Sequence, residues 1–211
     1  MDDKIFFVTW ILGAYLIGAI PFGFLIGKMR GVDVRTVGSK NIGATNVFRT
    51  VGKKWGLLAV FCDVMKGLLP TLAARHFAAE PSWLPLVIGI ACVVGHMLTP
   101  YMKFKGGKGV ATAFGALIAL IPVTVGIAFA IFALTFACSN YISLGSCVAA
   151  TSLAVMIWIP FLDHAGCKDL PLCILVTLIA AFIVWKHRSN IGRLVRGEEN
   201  KIYLFKKPSN V

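Results

Sequence analysis

From Ile5 onward the chain is a succession of long apolar runs, parted by short segments in which lysine, arginine and glycine gather. A run of about 17 to 25 apolar residues crosses roughly 30 Å of hydrocarbon as an α-helix, and only helices or closed barrels satisfy every backbone N–H and C=O there. These runs are continuous rather than alternating, which selects helices over barrel strands. Composition agrees: 58% of the 211 residues are hydrophobic and 14% are charged, with a mean hydropathy of +0.82, too little polar surface to wrap a water-soluble core. The pattern predicts an all-α, polytopic membrane helix bundle.

Spans are expected at Ile5 to Ile26, Trp55 to Ala74, Trp83 to Tyr101, Val110 to Ile121, Pro122 to Cys138, Leu144 to Leu162 and Pro171 to Trp185, seven in all. The segment before Pro122 is short for a crossing and reads alternatively as re-entrant, which would leave six spans. The first run has no small-residue cleavage site after it and reads as a retained span, so residues 1–211 are expected to form a single integral membrane domain.

The net charge of +12 is large enough to raise the question of nucleic acid, but the basic residues concentrate at alternate ends of the spans. Lys28, Arg30, Arg35, Lys40, Arg49, Lys53 and Lys54 precede the second span. Lys103, Lys105 and Lys108 follow the third, and the tail adds Lys186, Arg188, Arg193, Arg196, Lys201, Lys206 and Lys207. The opposite side keeps Lys4, Arg75 and Lys168. By the positive-inside bias the amino terminus lies outside and the carboxyl terminus is cytoplasmic, which requires an odd number of crossings. Cys62, Cys92, Cys138 and Cys147 fall in or at the ends of apolar spans without CxxC spacing and read as small buried hydrophobes. Cys167 and Cys173 are the pair whose spacing would permit a bridge at the outer surface.

Three polar clusters then fall on one face of the membrane. In GSKNIGATNVFRT, Gly38 and Gly43 let the backbone turn, Ser39, Asn41, Thr45 and Asn46 supply neutral donors, and Arg49 offers a fork that matches phosphate oxygens. In GHMLTPYMKFKGGKGVATAFG, the glycines Gly106, Gly107 and Gly109 bracket Lys108 just before a helix, where backbone N–H groups and the helix dipole favour an anion. The loop is not a Walker loop: Met102 and Gly109 stand where a glycine and a Ser or Thr would be, and no strand precedes it. In KHRSNIGRLVRGEEN, a helix continuing through the segment would turn His187, Asn190 and Leu194 to one face. Orientation by charge accounts for Lys28, Arg30, Lys53 and the tail lysines, but it needs neither amides nor hydroxyls between glycines.

Together with NYISLGS and RSNIGRLVRGEE, these segments resemble, in order and spacing, the acyl-phosphate-dependent glycerol-3-phosphate acyltransferases, small integral enzymes of bacterial plasma membranes. The resemblance implies transfer of a fatty acyl group from acyl phosphate to the 1-hydroxyl of glycerol 3-phosphate. The products are 1-acylglycerol 3-phosphate (lysophosphatidate) and phosphate, the first acylation of phospholipid synthesis. It also implies a site facing the cytoplasm, and no cofactor or metal is expected. The binding residues implied are Ser39, Asn41, Thr45, Asn46, Arg49, Gly106, Gly107, Lys108, Gly109, Thr112, Ser143, His187 and Asn190, with Lys108, His187 and Ser39 carrying the chemistry. The family more often has glycine where this chain has Lys40; if that position needs a positive φ, the lysine strains the loop.

Both substrates are anions, one arriving from water and one with its chain in lipid, so Arg49 and Lys108 are expected to compensate their charge. Lys108 with the amides of Gly106 and Gly107 would stabilise either the departing phosphate or the oxyanion. The base is left open between His187 and a substrate phosphate oxygen, with no carboxylate at hand unless Glu198 folds back. Asp63 and Lys66, one turn apart in the second span, read as a supporting pair, and His96 as a histidine satisfied at a helix end. HAGCKD, His164 to Asp169, reads as a chance spacing on the outer face. The competing class is a membrane transporter of an anion or organophosphate, disfavoured by the absence of repeat symmetry and by polar clusters at a surface rather than the midplane.

Overall fold

The computed structural model describes residues 3–77, 81–159 and 170–203, whose regular structure is helical. The chain divides into two compact units, residues 1–122 and 123–211. The first holds α1 (Asp3–Ala19), α2 (Phe22–Met29), α3 (Ala44–Thr50), α4 (Lys53–Phe77), α5 (Leu84–Met97), a 3-10 turn at Pro100–Met102 and α6 (Val110–Leu120). The second holds α7 (Pro122–Ser139), which starts at the boundary, then α8 (Ile142–Met156), α9 (Leu170–Lys186) and α10 (Arg188–Val195).

Among the described residues four helical stretches are long and apolar enough to cross a bilayer: Ile5–Met29, Lys53–Phe77, Leu84–Met102 and Pro122–Ser139. The pair α9 and α10, bent by 53°, counts as a fifth when taken as one span, while α6 and α8 are shorter apolar helices. Burial follows the solvent. Along α4, Leu57, Phe61 and Leu69 are exposed while Asp63, Lys66, Gly67, Thr71 and Ala74 are buried, the polar stripe facing inward and the apolar one facing where lipid would be.

Small residues let the helices of the first unit touch backbone to backbone. A side chain at Gly67 would overlap the carbonyl oxygen of Thr112 in α6, and one at Gly115 would overlap that of Val64 in α4. Gly18 lies in the same way against Cys92 in α5, and Gly95 against Tyr15 in α1. Ala14 joins Ala74, Leu84, Ile88, Ala91 and Cys92 in one buried cluster. Gly23 and Gly27 pack instead on the returning loop, against the carbonyl of Ile42 and the side chain of Val34.

The first span is interrupted at Ile20 and Pro21. Pro21 has no N–H to continue the ladder, and at the break the Ile20 carbonyl accepts the Phe22 N–H at 3.1 Å and Lys66 Nζ at 2.8 Å. Cys92 is buried and Cys62 half-buried, but Cys138 is exposed on α7, since an apolar thiol facing lipid needs no burial. Cys173 is buried with its thiol 3.5 Å from the Ile157 carbonyl. Cys167 and the His164 to Asp169 motif lie outside the described residues.

Candidate active site

The first polar cluster is a folded loop leading into α3. Asp33 opens it, accepting hydrogen bonds from Arg35 Nη2 at 2.7 Å, Nε at 2.9 Å and the Arg35 backbone N–H at 3.0 Å. The Arg35 guanidinium, more than its N–H, holds the Asp33 carboxyl down at about 2. Asn46 organises the rest: its Oδ1 accepts the Ser39 N–H at 2.9 Å and its Nδ2 donates to the carbonyls of Val34 at 2.7 Å and Val37 at 3.1 Å. Its amide is thus engaged within the loop and its side chain is buried. Asn41 closes an Asx turn onto the Gly43 N–H at 2.7 Å. Gly38 has φ 59°, and a Cβ there would overlap Asn46 Oδ1, so glycine is required on both counts. Lys40 also adopts a left-handed φ, 56°, and is strained where a glycine would not be. What the loop leaves outward is Ser39, exposed, with Thr45 and Arg49 half-buried one helical turn apart on α3.

The second cluster joins α5 to α6. The Gly106 N–H donates to the Met97 carbonyl and the Gly107 N–H to the His96 carbonyl, each at 3.1 Å. These two amides therefore tie the loop to the end of α5, which corrects the expectation that they face an anion. The loop carries the half-buried Lys108 and leads into α6, whose N-cap is Gly109 with φ 81°. Thr112, on the first turn of that helix, is fully buried, and its hydroxyl finds no partner among the described residues. Behind the loop, Asp63 and Lys66 form a 2.7 Å ion pair, and His96 Nδ1 lies 3.7 Å from Asp63 Oδ1. These three side chains are buried and line, with Ile20, Pro21 and Phe22, a narrow crevice.

In the second unit the last helix does not run straight through the third cluster. It bends by 53° at the junction of α9 and α10, and His187 occupies the bend as the N-cap residue of α10. Its Nδ1 lies 2.8 Å from the Ile183 carbonyl; a carbonyl only accepts, so Nδ1 carries a proton, which in the neutral ring leaves Nε2 as the acceptor nitrogen. Asn190 is buried and Leu194 half-buried. A carboxylate does fold back, and it is Glu199 rather than its neighbour Glu198. It accepts from Asn190 Nδ2 at 2.8 Å, Ser143 Oγ at 3.2 Å and Arg193 Nε at 2.7 Å. Glu198 is exposed and paired with Arg196 at 2.8 Å. The Ile202 N–H, bonded to the Asn140 carbonyl at 2.8 Å, holds this tail against the α7–α8 turn. Glu199 had no sequence signal beyond its place in GEE, since either glutamate can be written as the inward one.

A family model described as glycerol-3-phosphate acyltransferase matches residues 8–197. A glycerol-3-phosphate acyltransferase of Trichlorobacter lovleyi is 49% identical over 195 residues, covering 91% of this chain and 95% of its own. PlsY (YgiH), described as an integral membrane glycerol 3-phosphate acyltransferase, has been solved in its glycerol 3-phosphate form. That structure superposes with a TM-score of 0.85 at 38% identity, covering 93% of this chain and 96% of its own. Its lysophosphatidic acid form gives 0.82 at 37% identity, covering 93% and 95%.

Proposed function

The chain belongs to the glycerol-3-phosphate acyltransferase family, and from that membership we propose that it transfers a fatty acyl group from acyl phosphate to the 1-hydroxyl of glycerol 3-phosphate. The hydroxyl oxygen attacks the acyl carbonyl carbon, the bond from that carbon to the phosphate oxygen breaks, and phosphate leaves with the electron pair. The products are 1-acylglycerol 3-phosphate and inorganic phosphate, the first acylation in phospholipid synthesis. Acyl phosphate is already activated, so the step needs no cofactor.

Two anions approach each other in this reaction, and their repulsion is the first barrier to lower. From the first unit we assign Arg49 and Lys108 to compensate that charge. Ser39, Thr45 and the α6 turn carrying Thr112 add phosphate contacts, and Asn41 and Asn46 shape the loop that presents them. From the second unit we assign His187 and Asn190 to the glycerol end, with Ser143 and Glu199 holding Asn190. The Nε2 lone pair of His187 accepts the hydroxyl proton. Asp63, Lys66 and His96 support the loop that carries Lys108.

The setting we propose is the bacterial plasma membrane, crossed seven times, amino terminus outside, carboxyl terminus and active site cytoplasmic, residues 1–211 serving as one acyltransferase domain. The observation that carries the reading is the family match over residues 8–197. Purified protein in detergent, given glycerol 3-phosphate with either acyl phosphate or acyl-CoA, is expected to form lysophosphatidate from acyl phosphate alone, one phosphate released per product. Product from acyl-CoA, or none from either donor, would overturn it.

A further inference from the structure

Glycines in a loop that ends at a helix are ordinarily explained by the close approach of a phosphate. The Gly106 to Gly109 loop has a different neighbour. A Cβ on Gly107 would overlap Nε2 of His96 and stand 2.8 Å from its Cε1, and a Cβ on Gly106 would overlap the His96 carbonyl oxygen and stand 2.6 Å from the Met97 carbonyl carbon. The loop is thus pressed onto the last turn of α5, and the two amide bonds to Met97 and His96 fix its register.

The imidazole that fills the place of the missing side chain is itself held from behind. Asp63 Oδ1 lies 3.7 Å from His96 Nδ1, beyond hydrogen-bond range but in contact with the ring. Lys66 pairs with the same oxygen at 2.7 Å and donates to the Ile20 carbonyl at 2.8 Å. A buried ion pair is a poor source of stability when apolar packing could replace it, whereas removing one partner is costly. That asymmetry gives the pair a geometric role: it links the broken first span, α4 and the ring of His96.

We infer that His96 is a positioning residue for Lys108. Its ring occupies the space vacated by the Gly107 side chain and sets the height of the loop above α5, with Asp63 and Lys66 fixing the ring. The inference rests on the assignment of Lys108 to the reaction. It also makes a claim a phosphate cradle does not make: Gly107 is needed because of His96, so the cost of a methyl group there depends on which residue stands at 96.

The test is a double-mutant cycle on the full-length protein in detergent, reading kcat and KM for glycerol 3-phosphate and checking each variant by size exclusion. Gly107→Ala is expected to lower kcat/KM at least tenfold with His96 in place, and less than threefold further in His96→Ala. His96→Asn, whose amide keeps a polar group towards Asp63 but stops short of Gly107, should tolerate the extra methyl equally well, and it carries the cycle if His96→Ala does not fold. Equal losses from Gly107→Ala in every background would overturn the inference. Lys108→Met separates the two levels: if it is inactive while the cycle is additive, the positioning role fails alone. If Lys108→Met is fully active, the assignment of Lys108 fails and the inference with it.

Discussion

Glu199 accepts from Ser143, Asn190 and Arg193, and its side chain is fully buried, so its charge relies on those donors rather than on water. Glu199→Gln puts an N–H₂ where acceptors are needed and leaves Arg193 without its carboxylate. The expected cost is about 3 kcal/mol, read as a large fall in detergent melting temperature together with loss of activity. Glu198→Gln, on the exposed neighbour, should change neither. Lys40 calls for the opposite effect. Its left-handed φ of 56° is strained for a side chain, so Lys40→Gly should stabilise the protein by about 1 kcal/mol, measured by thermal unfolding, provided the removed charge does no binding of its own. Asp33 supplies a pH expectation. Its carboxyl sits at about 2 when folded, below the ordinary carboxylate value, so the contribution of its pair with Arg35 is complete above that ordinary value and disappears as pH falls towards 2. A side-chain NMR titration of Asp33 in detergent with a midpoint near 4 would show the pair unformed. All three residues lie in polar segments visible in the sequence, yet which of two adjacent glutamates turns inward depends on a tail returning to Asn140, a contact with no local signature.

Helices of this chain were legible where the physics is one-dimensional. A continuous apolar run of sufficient length specifies a span whatever its neighbours do, and α4, α5, α6, α7 and α9 fall within a few residues of their expected positions. What could not be read were the interruptions. Pro21 breaks the first run, and the Ile20 carbonyl at the break takes a second donor from Lys66, 46 positions along the chain. The turn of α9 into α10 depends on His187 bonding back to Ile183. The short α3 was hidden in a stretch read as loop. The glycines now sort into two classes with opposite expectations. Gly67→Ala or Gly115→Ala drives a methyl into the backbone of the partner helix and should cost about 1 to 3 kcal/mol or more. Gly13 and Gly126 have nothing within 4 Å of an added Cβ, so Ala there should be neutral or gain up to about 1 kcal/mol of helix propensity. Melting of the four single variants in the same detergent checks both halves, and equal losses from all four would refute the assigned packing.

Topology couples two helices that neither composition nor length resolves. At 1.5 Å per residue, α6 with 11 residues and α8 with 15 reach about 16 and 22 Å, less than the roughly 30 Å of a bilayer core. Between the basic segment after Pro100 and the basic tail lie α6, α7, α8 and α9. If α7 and α9 cross, the tail returns to the side of the basic loops when α6 and α8 both cross or both fail to cross, and it emerges on the opposite side when only one does. An acyltransferase of this kind, taking glycerol 3-phosphate from water and releasing phosphate to it, needs its basic groups on the side where those anions are. The positive-inside bias makes the same demand, so α6 and α8 must behave alike. Single cysteines at Thr36, Lys105 and Lys201, each exposed, in a background with the native cysteines replaced, should all react with an impermeant maleimide in inside-out vesicles. A cysteine at Ser82, also exposed, should react only in right-side-out cells. Labelling of the Lys201 position together with Ser82 would mean that just one of the two short helices spans, and would place the tail carrying His187 and Asn190 beyond reach of the substrates assigned to it.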